Sequence, residues 1–406
     1  MNQGSLAHSS LFFVATALLS QSLSFSQSDG FHVTSVPTEV RRHLGLSDFY
    51  QKRVEVGNFS VLGSNGVSDF ALKEAAFLIH QMVGGKYELL STLNQNKTRF
   101  AVMARNEFTT DVPEHSDLHP SLYWDRRARG LGATPSRPAV SCGEENLLCI
   151  DGDPYGTENI LIHEFAHALH EMAIKTLFPQ FQAELDECFR LAIEEKIWEG
   201  TYASINSAEY WAECVQSWFD TNRENDNDHG RINTREELIA NDPRITRLIR
   251  KYLGENQWRY QKPHQRKTKC KHLEGFDSGK EKAFEWPDQL VQWKEKFEQG
   301  KVSLAPPGSA EIILIDPREA KVLKSNFSRK RCRLYVHNLS EQTIALEWID
   351  FEGKAKQTKI LRNQDHAEIN TFTGHVWEIR NVQKDKVVGR FVMPENKSAE
   401  LNVTDR

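Results

Sequence analysis

The stretch Ile160-Leu-Ile-His-Glu-Phe-Ala-His-Ala-Leu-His170 decides how this chain is interpreted. It places His163, Glu164 and His167 in the order H-E-x-x-H, and positions four apart lie on one face of a helix. Both imidazoles can therefore reach a single metal ion, and the carboxylate of Glu164 can accept a proton from a water that the metal activates. Apolar residues surround the trio, as expected for a helix that crosses a domain core. A buried helix whose histidines only satisfy hydrogen bonds is the alternative.

The two histidines leave one ligand to find, since a catalytic zinc site takes three protein ligands and keeps one position open for water. Ala173 stands where an H-E-x-x-H-x-x-G-x-x-H protease carries its third histidine, which excludes that class. Downstream, Glu209 and Glu213 lie four residues apart and therefore on one helical face. One of them can ligate the metal, while the other accepts the Nδ1 proton of a ligating histidine from the second shell.

The segment Tyr202-Ala-Ser-Ile-Asn-Ser-Ala-Glu-Tyr-Trp-Ala-Glu213, downstream of the H-E-x-x-H helix, resembles the gluzincin group of zinc peptidases that includes anthrax lethal factor and the Pro-Pro endopeptidases. The resemblance covers residues 140–255. It implies a zincin-like fold and one Zn²⁺ per chain, held by His163, His167 and Glu209. It also implies that Tyr202 donates a hydrogen bond to the oxyanion of the tetrahedral intermediate.

By the same resemblance, residues 146–150 form the edge strand to which an extended substrate adds, and Cys142 and Cys149 pin it. A free structural loop is the alternative. Six cysteines, at positions 142, 149, 188, 214, 270 and 332, are compatible with three disulfides. Cys188 and Cys214 fall on consecutive predicted helices and could cross-link them or remain two buried thiols.

Composition and the N-terminal stretch indicate export. A formal net charge of −5 argues against nucleic acid as the main partner. Residues 11–19 form an apolar run of signal length, too short to span a bilayer, which predicts a signal peptide over residues 1–26; a disordered apolar tail is the alternative. The protein is therefore expected to be secreted and extracellular, without a membrane span. Six sequons agree with this, at Asn58, Asn96, Asn326, Asn338, Asn396 and Asn402.

The chain of 406 residues is predicted to fold as two domains. In the first, residues 27–262, we expect strands near 53–62, 100–104 and 146–150 and a long functional or covering loop over 109–141. Helices are expected over 70–83, 181–199, 208–218, 235–240 and 244–252. The H-E-x-x-H helix is expected to open at Asp153-Pro154. Residues 263–307 form a connector with one helix over 287–299. Residues 308–400 alternate apolar and polar positions in short segments, which predicts an all-β sandwich.

Three segments of the tail resemble a von Hippel–Lindau-type β-domain: Tyr335-Val-His-Asn-Leu-Ser340, Trp348-Ile-Asp-Phe-Glu-Gly353 and Ile369-Asn-Thr-Phe-Thr-Gly-His-Val-Trp377. This resemblance implies a β-sandwich that binds a hydroxyproline peptide, with Thr371, His375 and Trp377 at the matching pocket positions. Thr358 stands where that pocket has a Tyr, which departs from the pattern. Apolar packing in the sandwich core is the alternative explanation for Trp377.

Together with these resemblances, the sequence predicts an α+β chain: a zincin-like metallopeptidase domain followed by a small all-β sandwich. The expected function is that of a secreted zinc endopeptidase acting on a protein or peptide, with Glu164 and Tyr202 as catalytic residues. The tail is expected to dock on a proline-rich or hydroxyproline-rich matrix protein. A catalytically silent extracellular binding protein on a peptidase scaffold and a zinc hydrolase acting on other substrates are the alternatives.

Overall fold

The computed structural model describes residues 30–226, 228–266, 270–319 and 323–405. The predicted signal peptide over residues 1–26 lies outside the described residues. Within the described part, no helix combines the length and the apolar character that a membrane crossing requires.

Six strands form the first sheet: β1 Thr34–Ser35, β2 Lys52–Val56, β3 Phe59–Gly63, β4 Arg99–Met103, β5 Gly130–Leu131 and β6 Ala139–Gly143. Their order across the sheet is β1-β2-β3-β4-β6-β5. β4 pairs in parallel with β3 and β6, whereas β5 adds antiparallel to β6 at the edge. The strand expected near residues 53–62 is a hairpin of β2 and β3, and β4 matches the strand expected at residues 100–104.

Twelve α-helices are present in the described residues: α1 Thr38–Leu44, α2 Asp69–Val83, α3 Tyr87–Gln95, α4 Ser121–Arg127, α5 Glu144–Leu148, α6 Ile160–Ala168, α7 Lys175–Leu177, α8 Phe181–Glu194, α9 Ser207–Trp218, α10 Arg235–Asn241, α11 Pro243–Leu253 and α12 Asp288–Glu298. A π-helical turn, Leu169–Ile174, joins α6 to α7. The side chain of Ser68 caps α2, and Gly84 ends that helix in the left-handed region, as the sequence predicts. Helices α8 to α12 also match their predicted positions within a few residues.

Residues 146–150 do not form a strand, and this prediction is wrong. They belong to α5 and the turn after it, where Cys149 has a left-handed φ of 52°. The side chain of Asn146 bonds the loop that leads to α6, accepting from the backbone N–H of Ile160 at 2.9 Å. A short apolar run is ambiguous between helix and strand, and these loop contacts decide it. Helix α6 begins at Ile160 rather than at Asp153, because Asn159 supplies its cap.

The segment over residues 109–141, expected to be one long loop, contains α4, the edge strand β5 and the start of β6. β6 lies inside the sheet and is buried along its whole length. Its sequence, Ala-Val-Ser-Cys-Gly, carries small residues in place of the β-branched run that normally announces a central strand. Sequence propensity therefore missed it, and pairing with β4 forms it.

The described cysteines form no disulfide, so the predicted disulfides are not supported. Cys142 is buried in β6 and Cys149 closes α5, where its thiol faces the hydroxyl of Tyr260 at 3.9 Å. Cys332 is buried in the core of the C-terminal sandwich. Thiol pairing depends on distances between remote parts of the chain, which an even cysteine count does not supply.

The connector packs along the first domain and ends in α12. Arg266 and His272 both bind the fully buried carboxylate of Glu74, with His272 Nε2 at 2.7 Å. Further on, the backbone N–H of Phe284 donates to the carbonyl of Asp151 at 2.8 Å. The connector is therefore bound along its length to the domain that precedes it.

Eight strands form the C-terminal sandwich: β7 Ala310–Glu311, β8 Arg331–Asn338, β9 Ile344–Ile349, β10 Ala355–Leu361, β11 His366–Phe372, β12 Val376–Asn381, β13 Lys386–Val392 and β14 Ser398–Val403. They divide into two four-stranded sheets, β10-β9-β12-β13 and β11-β8-β14-β7. A separate apolar cluster fills the space between the sheets. The predicted all-β sandwich is confirmed.

The sandwich contacts the first domain and the connector through two groups of side chains. Tyr123 of α4 hydrogen-bonds to Nε2 of His366 at 2.7 Å, and Phe297 of α12 stacks on His337 with ring centroids 4.0 Å apart. Arg362 forms an ion pair with Asp228 at 3.0 Å. These contacts place one end of the sandwich beside the loops that border α6 and α9.

Candidate metal centre

His163, His167 and Glu209, here called the metal triad, bring three ligand atoms together. Nε2 of His167 lies 3.1 Å from Nε2 of His163 and 3.2 Å from Oε2 of Glu209. Nε2 of His163 lies 3.3 Å from the same carboxylate oxygen. The three atoms therefore form a nearly equilateral triangle, built from two adjacent turns of α6 and the first turn of α9.

The dimensions of this triangle fit a tetrahedral metal. With zinc–ligand bonds of about 2.0–2.1 Å, neighbouring ligand atoms lie about 3.3–3.4 Å apart. The charges fit as well: burial raises the pKa of Glu209, but its hydrogen bonds to the two histidines outweigh burial and hold that pKa well below the ordinary value. Nitrogen and carboxylate donors in this number suit Zn²⁺. The residues present therefore fit the ion that the motif implies.

Local contacts fix the two helices against each other. The indole Nε1 of Trp211 donates to the carbonyl of Ala166 at 3.0 Å, which joins α9 to α6. Asn206 caps α9 and accepts from the backbone N–H of Glu209 at 3.0 Å. Glu209 thus lies in the first turn of its helix, where the positive end of the helix dipole favours an ionised carboxylate.

The second nitrogen of His163 is held by Gln216. Nδ1 lies 2.7 Å from the amide oxygen Oε1 of Gln216 and 3.4 Å from Oε1 of Glu213. Because both oxygens can only accept, Nδ1 carries a proton, and Nε2 is the nitrogen that faces the triad. Glu213, expected to support a ligating histidine, stands in that place, but the closer contact comes from Gln216.

Sequence reasoning missed Gln216 and the groups behind it. Nε2 of Gln216 donates to Glu158 at 2.9 Å, and Glu158 pairs with Arg223 at 3.4 Å. Glu213, the more distant partner of His163, also lies 3.5 Å from His229. Burial raises the pKa of Glu213, but its hydrogen bonds with His163 and His229 outweigh burial and lower that pKa to about 2. Helical spacing could have identified Gln216, which follows Glu213 by three positions on the same face.

Glu164 and Tyr202 flank the metal triad without joining it. Burial raises the pKa of Glu164, against the lowering effect of the two neighbouring histidines. The rings of Tyr202 and His163 lie 6.4 Å apart at 45°. Burial, aided by Glu209, raises the pKa of Tyr202 to about 12, so the phenol keeps its proton near neutral pH. Tyr202 can therefore donate a hydrogen bond beside the metal triad.

The strand beside the triad is β5. Gly130 and Gly132 approach α6 so closely that a Cβ on Gly130 would lie 3.2 Å from Cγ of Glu164, and one on Gly132 would lie 2.8 Å from Cβ of His167. The edge expected at residues 146–150 is thus replaced by β5, two residues long. Because β5 is short and contains a glycine, the sequence shows no pattern that predicts a strand there.

The sandwich also brings three side chains together: Thr371, His375 and Trp377, here called the tail triad. Nε1 of Trp377 donates to Oγ1 of Thr371 at 3.3 Å, and that hydroxyl lies 3.2 Å from Nδ1 of His375. Thr371 and Trp377 are buried, whereas His375 is half-buried and faces Trp348 at a ring distance of 5.4 Å. Thr358 is exposed on β10.

Comparison with known proteins identifies this second region. Residues 323–390 match the family model of the VHL beta domain. The C-terminal unit is a VHL-type β-domain. The match contains the three segments on which the resemblance was based, and a VHL-type β-domain indicates protein binding. None of the curated proteins matches the chain.

Proposed function

We propose that this protein is a secreted zinc-dependent endopeptidase whose metal site is the metal triad. The observation that carries the proposal is the triangle of Nε2 of His163, Nε2 of His167 and Oε2 of Glu209, with edges of 3.1, 3.2 and 3.3 Å. Next to it stand a carboxylate, Glu164, and a protonated phenol, Tyr202. A metal site used only for structure requires neither group.

When bound, zinc would activate a water molecule and polarise the carbonyl of the scissile bond. Glu164, whose pKa burial raises, would accept a proton from the attacking water and later deliver it to the departing amine. Tyr202 donates a hydrogen bond to the carbonyl oxygen as negative charge develops there. Gln216 keeps His163 in the tautomer that presents Nε2 to the metal.

A peptide substrate in extended conformation suits the edge strand β5. One side of β5 pairs with β6, and its other side is not paired with another strand of the described sheet. An added peptide strand can use the backbone groups there. Because Gly130 and Gly132 contact α6, a peptide on this edge would pass close to Glu164 and His167.

Export is the proposed localisation, and it rests on the apolar run over residues 11–19 and on the sequons. Four sequon asparagines are exposed, Asn58, Asn326, Asn396 and Asn402. Asn338 is not available for a glycan, because its buried amide donates to three backbone carbonyls. The amide of Asn96 donates to the carbonyl of Met172 at 2.6 Å.

The decisive experiment measures zinc content and peptide cleavage on the same samples. Wild-type protein is expected to hold one zinc per chain and to digest a broad peptide library in a chelator-sensitive manner. His163→Ala should lose both properties, whereas Glu164→Gln should keep the zinc and lose turnover by about 10²-fold or more, the usual effect of removing a general base. The absence of zinc from the wild type would overturn the proposal.

Two alternatives are separated by the same data. Zinc without cleavage of any peptide would favour a catalytically silent binding protein or a zinc hydrolase acting on another substrate class. Cleavage that survives in Glu164→Gln would show that the assignment of the general base is wrong. The presence of both Glu164 and Tyr202 beside the metal triad favours catalysis.

A second function is proposed for the VHL-type β-domain: docking on proline-rich or hydroxyproline-rich matrix proteins. It is favoured by the half-buried ring of His375, which lies among Trp348, Phe351 and Phe372 at ring distances of 5.4, 5.9 and 5.3 Å. Aromatic walls around a polar group suit a proline ring that carries a hydroxyl.

The docking proposal is tested with full-length Glu164→Gln, which removes the proposed cleavage. Titration with a hydroxyproline peptide and with its proline counterpart is expected to favour the hydroxylated form, and His375→Ala should weaken both interactions. Equal affinity for the two peptides would leave only proline recognition. Failure to bind either peptide would refute the docking role.

A further inference from the structure

The segment that carries Tyr202 is positioned by contacts of its backbone. It joins α8 to α9, and Gly200 turns it sharply with a left-handed φ of 78°. The backbone N–H of Tyr202 donates to the carbonyl of Asp228 at 2.6 Å. Further on, the side chain of Asn206 caps α9 and fixes the other end of the segment. The placement of the phenol therefore depends on Asp228, a residue of the loop between α9 and α10.

The loop of Asp228 also supports the metal triad. Its next residue, His229, lies 3.5 Å from the carboxylate of Glu213, which in turn lies 3.4 Å from Nδ1 of His163. Asp226 stabilises the loop by accepting from the backbone N–H groups of Asp228 and His229 at 2.8 and 2.9 Å. One loop thus contacts both the segment that joins α8 to α9 and the side chains that support the metal triad.

Arg362 of the VHL-type β-domain binds both the loop and the segment. It lies in the turn between β10 and β11, where Nη1 pairs with Oδ1 of Asp228 at 3.0 Å and Nη2 donates to the carbonyl of Gly200 at 2.6 Å. The side chains of Arg362 and Asp228 are 37% and 47% exposed, so this ion pair contributes little to overall stability. Its effect is local: a planar guanidinium with fixed donors holds two acceptors at a defined separation.

The same turn leads to a second contact with the first domain. His366, the first residue of β11, hydrogen-bonds through Nε2 to the hydroxyl of Tyr123 at 2.7 Å. Tyr123 belongs to α4, which leads into β5, and Gly130 of β5 packs against Glu164. The VHL-type β-domain therefore contacts both the segment that carries Tyr202 and the helix that precedes β5.

We propose that Arg362 is a positioning residue of the peptidase, which holds Tyr202 where its phenol can donate to the developing oxyanion. The inference deepens the proposed endopeptidase function and rests on it. Arg362 acts through the carbonyl of Gly200 and through Asp228, without contact to the substrate. Because a hydrogen bond weakens steeply with misalignment, a loosened segment lowers the rate of the chemical step although the substrate still binds. The VHL-type β-domain thus completes the active site of the domain that precedes it.

The test uses the full-length chain and a peptide that the wild type cleaves. Zinc content, kcat and KM are measured for wild type, Arg362→Gln, Tyr202→Phe and the double variant. Arg333→Gln is the matched control, since Arg333 is an exposed arginine of the same sandwich that is paired with Glu368 at 3.0 Å. Hydrogen exchange of residues 199–206 is followed on the same proteins, because it requires neither zinc nor catalysis.

Arg362→Gln is expected to lower kcat about 10-fold at nearly unchanged KM, the effect of losing the hydrogen bonds that hold the segment, and to keep one zinc per chain. Residues 199–206 should exchange faster in this variant. Tyr202→Phe should lower kcat about 10²-fold, the usual effect of removing an oxyanion donor. In that background Arg362→Gln should have no further effect, because residues that act through one another are not additive.

Two further variants define the expected result. Asp228→Ala removes the partner of Nη1 and should also lower kcat with unchanged zinc content, which tests the contact from its other side. Arg333→Gln should match the wild type in kcat, KM and hydrogen exchange, because its ion pair lies on the outer surface of the sandwich.

Four outcomes would overturn the inference alone: wild-type kcat in Arg362→Gln, wild-type exchange of residues 199–206, an undiminished loss of kcat in the Tyr202→Phe background, or a loss of zinc in step with kcat. The third would show that Arg362 acts independently of Tyr202, and the fourth that it maintains the metal triad as a whole. Absence of zinc and of cleavage from the wild type would overturn the proposed function together with this inference, so the two failures are distinguishable.

Discussion

The metal triad and the tail triad both contain histidine, yet the arrangement of their hydrogen bonds differs. In the metal triad, Nδ1 of His163 donates to Gln216, and two ring nitrogens and a carboxylate oxygen converge within 3.3 Å. In the tail triad, the indole of Trp377 donates to Thr371, and the hydroxyl of Thr371 in turn meets His375. The first arrangement brings three potential metal ligands to one point, and the second is a chain of hydrogen bonds.

This difference shows how a cluster of polar side chains should be interpreted. Ring nitrogens and a carboxylate oxygen that converge in this way are costly to bury unless a cation or a proton lies between them. A chain of donors and acceptors satisfies itself and is stable without a ligand. The geometry of the metal triad therefore suits an ion, while a ligand for the tail triad must be argued from the exposed aromatic groups around His375.

Removal of the metal is expected to have the largest effect. Where free zinc exceeds its dissociation constant about 1,000-fold, binding adds about 4 kcal/mol to the stability of the folded state. Thermal unfolding of the wild type should therefore shift to lower temperature when a chelator is added, whereas His167→Ala should show no such shift. Identical unfolding of zinc-loaded and chelated wild type would contradict a metal site in the metal triad.

Replacement of Gln216 by leucine is expected to have the second-largest effect. The variant keeps a side chain of similar size but leaves Nδ1 of His163 without its closest acceptor. Loss of such an outer hydrogen bond typically lowers metal affinity about 10- to 100-fold. Competition with a fluorescent chelator measures the affinity, and Gln182→Leu serves as a control on the neighbouring helix. Unaltered zinc affinity would show that Glu213 alone holds His163.

Acidification is expected to weaken the contact between the VHL-type β-domain and the first domain. Burial lowers the pKa of His337 and His366 to about 4, and Arg127 and Lys359 add to the effect on His366. Both histidines are neutral in the folded protein but bind protons on unfolding below their ordinary pKa of about 6.5. Their contribution is thus fully present above pH 6.5 and is lost as the pH falls towards 4.

Because both histidines retain some contact with solvent, we expect a loss of about 1–2 kcal/mol, less than the full shift would imply. Urea unfolding at pH 7.5 and pH 5 measures it. His366→Gln should reduce the difference between the two pH values, since glutamine does not titrate in this range. An unchanged difference in the variant would place the pH dependence elsewhere.

Replacement of Thr371 by valine is expected to have the smallest effect. It removes one hydroxyl that bonds to His375 and Trp377 but preserves the shape of the side chain. The expected cost is about 1 kcal/mol of stability, since an ordinary hydrogen bond contributes about 0.5–1.5 kcal/mol. Zinc content and peptidase activity should match the wild type. A loss of zinc in this variant would mean that the two triads are coupled.

Much of the architecture could be predicted from local patterns. Helices α2, α8, α9 and α11 showed apolar periodicity, and the strands of the sandwich showed alternation, because in both cases one face is buried. Spacing on one helix identified His163 and His167 of the metal triad, and Glu209 was identified by helical spacing together with the resemblance to a known family. Residues 146–150 and the segment over 109–141 were misassigned, since their conformation depends on contacts with distant strands and loops.

The sequence by itself determined the pair His163 and His167, because a spacing of four places two side chains on one face of any helix. It also determined the sandwich of the tail. Only the tertiary structure decided that Gln216 holds His163, that β5 borders the metal triad, and that the described cysteines form no disulfide. Each of these depends on distances between residues far apart in the chain, and no local spacing encodes them.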